Sequence, residues 1–154
     1  MNPEKNPAMP DCVKKSGSIC ERLWAATSDM LNSTLRLEDA LINRRIEEIW
    51  SILSEQEGKS AQLNQASQLW HQVYGDNWEN CSPDLAQARK EIRNKLQRLQ
   101  IAEKVNYSLT RNYLNAVNKS MIKTGAGIAG KKKVYNKGGR LGMKSSSMLF
   151  KSIG

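Results

Sequence analysis

From Ser82 to Lys123 the chain reads SPDLAQARKEIRNKLQRLQIAEKVNYSLTRNYLNAVNKSMIK, with no glycine and no proline after Pro83. Such a stretch restricts the chain to folds that can house one very long helix. Ser82 suits the N-cap, Pro83 the first helical position and Asp84 the first turn, where the helix dipole favours an acid. Steps of three and four pick out Leu85, Ala88, Ile92, Lys95, Leu99, Ala102, Asn106, Leu109, Tyr113 and Ala116. A seven-residue repeat of this kind favours left-handed packing against other helices.

The two halves of the stretch differ. Up to Lys104 the positions off the stripe are charged, among them Arg89, Lys90, Glu91, Arg93, Arg98 and Glu103. That is the pattern of a helix with one buried stripe and a solvated back. From Val105 to Ile122 only Arg111 and Lys119 are charged, while Val105, Tyr107, Leu109, Tyr113, Leu114, Ala116, Val117, Met121 and Ile122 spread round the helix. A helix apolar on more than one side needs more than one neighbour.

The preceding sequence supplies two shorter helices. Residues 1–17, with Pro3, Pro7 and Pro10 among polar neighbours, read as a disordered leader. From Ile19 to Ile42 there is no helix breaker, and Ile19, Leu23, Ala26, Met30, Leu37 and Leu41 form one stripe. Trp24, Leu31, Leu35 and Ile42 form a second, roughly 100° further round. Arg44 to Tyr74 repeats helical spacing through Ile46, Ile49, Trp50, Leu53, Leu63, Trp70 and Val73. Gln56, Gly58 and Ser60 interrupt that seam, which predicts a bend near Gly58. Gly75, Asp76, Asn77 and Asn80 make a loop before Ser82.

The fold class is therefore all-α: an elongated antiparallel three-helix bundle or coiled coil over residues 18–123, with a long third helix. At about 1.5 Å per residue the three helices span roughly 36, 46 and 63 Å, so the third overhangs by about 15 to 25 Å. Its charge-poor end calls for completion by another chain, by a second copy, or by the leader or tail folded back. In residues 124–154, Gly125 follows Thr124 as a usual helix terminator. These residues hold seven basic residues, no acid and many glycines, the composition of a flexible tail. Of the net charge of +9, the tail carries +7 and the helical body +2.

Catalytic and metal chemistry find little support. Three cysteines, Cys12, Cys20 and Cys81, lack CxxC spacing, and His71 is the single histidine. They read as reduced thiols and a surface imidazole, with neither a metal site nor a cofactor. Gly125 to Lys131, GAGIAGK, matches the glycine and lysine positions of a phosphate-binding loop. Yet Lys132 stands where a magnesium-binding Ser or Thr is required, and the segment follows a helix, not a strand. Adjacent acids such as Glu47 and Glu48 point about 100° apart and share no site. The chain reads as a non-enzyme. No run of apolar residues is long enough to span a bilayer, and the N-terminus lacks a secretory core, which points to a cytoplasmic protein without membrane insertion. Lys131, Lys132 and Lys133 with Tyr135, Lys137 and Arg140 would suit phosphate contacts, so a nucleic-acid-binding tail stays open as a minority reading. A self-associating structural coiled coil is the third class.

The order of features resembles the FlgN-type flagellar type III export chaperones. LINRRIEEIWSILSEQEGKSAQL, then LQRLQIAEKVNYSLTRNYLNAVNKSM, then VYNKGGR carry the resemblance, which covers about residues 18 to 140 in layout. It implies a cytoplasmic chaperone that binds the C-terminal helices of hook-filament junction (hook-associated) proteins, prevents their premature assembly and delivers them to the export gate. The family's substrate-binding region corresponds to Val105 to Ile122 here, and its Tyr-containing C-terminal segment makes Tyr135 the candidate for export-gate contact. The Lys131–Lys133 run and the extension to Gly154 depart from the family pattern. Docking of a partner helix would then use Leu109, Tyr113, Leu114, Val117 and Met121.

Overall fold

A computed structural model describes residues 8–75 and 81–126. It contains four helices: α1 (Asp11–Lys15), α2 (Ser18–Ile42), α3 (Ile46–Tyr74) and α4 (Pro83–Ala126). No strand occurs among the described residues, and the all-α bundle expected from periodicity is what forms. The chain divides into two units, Met1–Thr110 and Arg111–Gly154.

In the first unit α2 and α3 run antiparallel. Arg36 on α2 pairs with Glu55 on α3 at 3.1 Å, and Tyr74 at the far end of α3 donates to the Ser16 carbonyl just before α2, at 3.4 Å. The part of α4 in this unit runs parallel to α2, because Lys95 meets Ser28 and Asn106 meets Thr34. The core falls into three apolar clusters along α2. Cys20, Leu23, Trp24 and Ala26 pack with Ala66 and Trp70 of α3 and with Ala88 and Ile92 of α4. Met30 and Leu31 pack with Leu99 and Ala102 of α4, with Leu63 of α3 against them. Leu37 and Ala40 pack with Ile52 of α3.

The expected loose leader does not extend to Asp11–Lys15, which forms α1 and inserts Val13, fully buried, into the first cluster. Pro10 starts this turn, its carbonyl accepting from the Val13 and Lys14 amides. Gly17, at φ +100°, then reverses the chain into α2, a conformation that a side chain would strain. Neither Ser16 nor Ser18 caps α2. Ser16 Oγ donates back to the Cys12 carbonyl instead.

The α2–α3 turn is a Schellman closure. Arg45 N–H donates to Ala40 O at 3.0 Å and Arg44 N–H to Leu41 O at 3.3 Å. The left-handed position that this motif normally gives to glycine is held by Arg44, at φ +54°. Arg45 ion-pairs with Asp39 and with Glu48 on the outside of the turn.

α3 is unbroken through Gly58, so the helix is not interrupted there. Gln56, read as an interruption of the seam, is buried within it. Trp50, Val73 and Ile46, read as seam residues, are exposed at 62%, 57% and 42%. The reason is angular: Trp50 lies roughly 160° round the helix from buried Ile52 at about 100° per residue. On the second α2 stripe, Trp24 and Leu31 are buried while Leu35 and Ile42 are exposed. At the start of α4, Ser82 Oγ accepts from the Leu85 amide at 3.2 Å, the expected N-cap. The other end continues past Gly125 to Ala126, beyond the expected stop at Lys123. A glycine permits a helix to end but does not compel it.

Candidate functional site

Two features of α4 stand out, one in each unit. In the first unit the α4 stripe is buried as the heptad spacing predicts, at Ala88, Ile92, Lys95, Leu99, Ala102 and Asn106. Two of those six are polar, and they make two polar layers between the apolar clusters. In one, the Lys95 ammonium donates to Ser28 Oγ at 2.5 Å and lies 3.6 Å from the centre of a Trp24 ring. Lys95 is only 4% exposed. Burial holds its pKa down at about 8, helped by the nearby Arg98 charge and opposed by Asp29.

The second layer joins three helices. Asn106 Nδ2 donates to the Thr34 carbonyl at 2.8 Å, while Gln56 Nε2 reaches Thr34 Oγ1 at 3.5 Å. Thr34 Oγ1 in turn donates to the Met30 carbonyl at 2.8 Å. Asn106 Oδ1 and Ser33 Oγ are buried without a partner. Lys95 and Asn106 could be found from the sequence because they occupy stripe positions. Ser28, Thr34 and Gln56 carry no such signal, since isolated hydroxyls and amides recur on every helix surface. A lysine with a depressed pKa has the chemistry of a nucleophilic amine. Here the amine is sealed under Trp24 and committed to Ser28, which suits a structural role.

The second unit begins at Arg111, and α4 continues in it as far as Ala126. From Arg111 to Gly125 no residue is buried. Tyr113, Met121 and Ile122 are exposed at 41%, 67% and 65%, and Leu114 and Val117 are half-buried. Tyr113, Val117 and Met121 follow at i, i+4 and i+8, and Leu114 stands one turn before Val117, so these four share one side of the helix. A shallow hollow beside Val117 and Met121 is completed by Ser120, Thr124 and Gly125. Thr124 Oγ1 is satisfied by the Ser120 carbonyl at 2.9 Å. Leu109, the fifth predicted residue, belongs to the first unit and is half-buried there. Tyr135, the GAGIAGK segment beyond Ala126 and the Lys131–Lys133 run lie outside the described residues.

Cys12, Cys20 and Cys81 are free thiols. Burial pushes the Cys20 thiol up, against a hydrogen bond with Tyr74 that lowers it. Among the described residues no cluster of His, Cys, Asp and Glu could hold a metal ion, and no helix is long and apolar enough to cross a membrane. His71 is exposed on α3. Compared with protein families, with curated proteins and with solved structures, the chain matches none of them.

Proposed function

We propose that this chain is a cytoplasmic, non-enzymatic export chaperone of the flagellar type III system. Its α4 surface receives the C-terminal helices of hook-filament junction proteins, keeps them from assembling early and brings them to the export gate. The observation that carries the reading is the run Arg111–Gly125, in which Tyr113, Leu114, Val117, Met121 and Ile122 share a helix with no buried residue. A helix that leaves so much apolar area open is completed in its working state. The sequence resemblance supplies the identity of the client and gives Tyr135 the gate-contact role.

Helix-in-groove docking suits these side chains. Met adapts its shape to the client and Tyr combines apolar area with a hydrogen-bonding tip. Burying a few of them at roughly 1.5 to 3 kcal/mol each suffices for a micromolar complex of about 8 kcal/mol once association costs are subtracted. The test is calorimetry with the C-terminal fragment of a hook-filament junction protein. The Leu114→Asp/Val117→Asp chain should lose binding while keeping its far-ultraviolet helix signal, because both positions lie outside the buried core. Unchanged affinity would remove this face as the client site.

A further inference from the structure

The charge of the chain is divided at the same place as its burial. Eleven of the 24 basic residues and none of the 15 acidic ones lie from Lys104 onward. That stretch carries +11, whereas residues 1–103 carry −2. Within Arg111–Gly125 the cations are Arg111, Lys119 and Lys123, all exposed, and none has an acidic partner among the described residues.

Their angular positions matter more than their number. At about 100° per residue, Ala116, Tyr113, Val117, Met121 and Leu114 fill an arc of roughly 160° in that order. Arg111 follows roughly 60° beyond Leu114 on one edge, and Lys123 and Lys119 lie within about 60° of Ala116 on the other. Asn118 stands between Leu114 and Arg111 and Asn112 between Lys119 and Lys123, while Asn115 and the exposed Ile122 occupy the back. An apolar strip with cations along both borders is one half of a helix pair, in which the partner's apolar stripe is bordered by carboxylates.

We infer that the partner of this face is an acidic amphipathic helix, with an apolar stripe flanked on both sides by Asp or Glu. The inference rests on the helix-docking reading above and names the charge of the helix that docks. A nucleic acid fits less well, because Tyr113, Val117, Met121 and Leu114 lie inside the cationic borders, with only Ser120 and Thr124 polar between them.

The experiment uses the full chain and three designed peptides. One is an amphipathic helix with Leu along its stripe and Glu on both borders. The second has Gln in place of every Glu, and the third is a scrambled version of the Glu peptide. The Glu helix should bind roughly tenfold more tightly than its Gln twin at low salt. That advantage should vanish in the Arg111→Gln/Lys119→Gln/Lys123→Gln chain, which keeps the apolar strip intact. Equal binding of the Glu and Gln helices overturns the acidic-partner inference and leaves helix docking standing, whereas no binding by either removes both. An advantage that survives the triple substitution places the charge recognition elsewhere and also overturns it. So does equal or tighter binding, sensitive to the same substitutions, of the scrambled peptide, a DNA duplex or phosphatidylserine vesicles.

Discussion

Lys95→Met should stabilise this protein, although it deletes a hydrogen bond and a cation–π contact. Lys95 is 4% exposed and its pKa is held near 8, against 10.5 for a free lysine. At about 1.36 kcal/mol per pKa unit, keeping the ammonium charged inside the fold costs about 3 kcal/mol at neutral pH. The contact with Trp24 returns roughly 0.5 to 2 kcal/mol of this. Ser28 is not orphaned by the substitution, since its hydroxyl donates to the Trp24 carbonyl at 2.7 Å. Methionine nearly matches the lysine stem in length, so the net expectation is a gain of about 1 to 2.5 kcal/mol.

The sign of the pH dependence gives an independent check. A lysine whose folded pKa is depressed binds fewer protons folded than unfolded between about 8 and 10.5. Stability therefore rises with pH through that window, by about 1.3 kcal/mol between pH 7 and pH 9. Cys20 acts oppositely. Its folded pKa is raised above 9.0, so the unfolded chain ionises first and stability falls as pH climbs past that value. Wild type should thus gain stability and then level off, whereas Lys95→Met should show only the later decline. Urea titrations followed by circular dichroism, run on both chains across this range, measure the difference and cancel the Cys20 contribution. A Lys95→Met chain less stable at neutral pH, or a wild type flat up to about pH 9, would refute the assignment of a net burial cost to this residue.

Two backbone substitutions test the helix connections. Gly58→Ala should raise stability by about 1 kcal/mol, because Gly58 is inside an unbroken helix and a Cβ there meets nothing within 4 Å. A loss in urea midpoint would mean that the helix needs glycine there. Arg44→Gly should also stabilise, by up to about 1 kcal/mol, since it relieves a non-glycine residue at φ +54°. Its melting temperature should rise by roughly 2 to 4 °C, and a fall would show that the Arg44 side chain contributes more than its backbone costs.

What was legible in the sequence follows from which forces are periodic. Apolar burial repeats at helical spacing, so the α4 stripe from Ala88 to Asn106 and the single long helix could be read directly. Angular position within a helix is less forgiving: Trp50 is among the most apolar residues of α3, yet it faces out because the seam runs through Ile52 and Trp70. Short-range capping was half legible, with Ser82 found and the Pro10–Gly17 turn missed, because a five-residue helix has no period to detect. The polar layers were legible on α4 alone. Their partners Ser28, Thr34 and Gln56 are defined by tertiary neighbours, which no local pattern encodes.

Those layers fix the first part of α4 against its neighbours, whereas Arg111–Gly125 has no buried residue. An α4 stripe of unbroken leucine would be free to slide by a heptad against α2, since each register buries similar area. Lys95 on Ser28 and Asn106 on the Thr34 carbonyl each fit one register. A slip breaks both contacts, and a buried polar group left without a partner costs several kcal/mol. The residues after Thr110 make no such buried polar contact, and in the docking proposed above Leu114 and Val117 would meet the partner's apolar stripe. On that proposal, specificity at this end would come from the borders, where Arg111, Lys119 and Lys123 are the charges that α4 carries after Thr110.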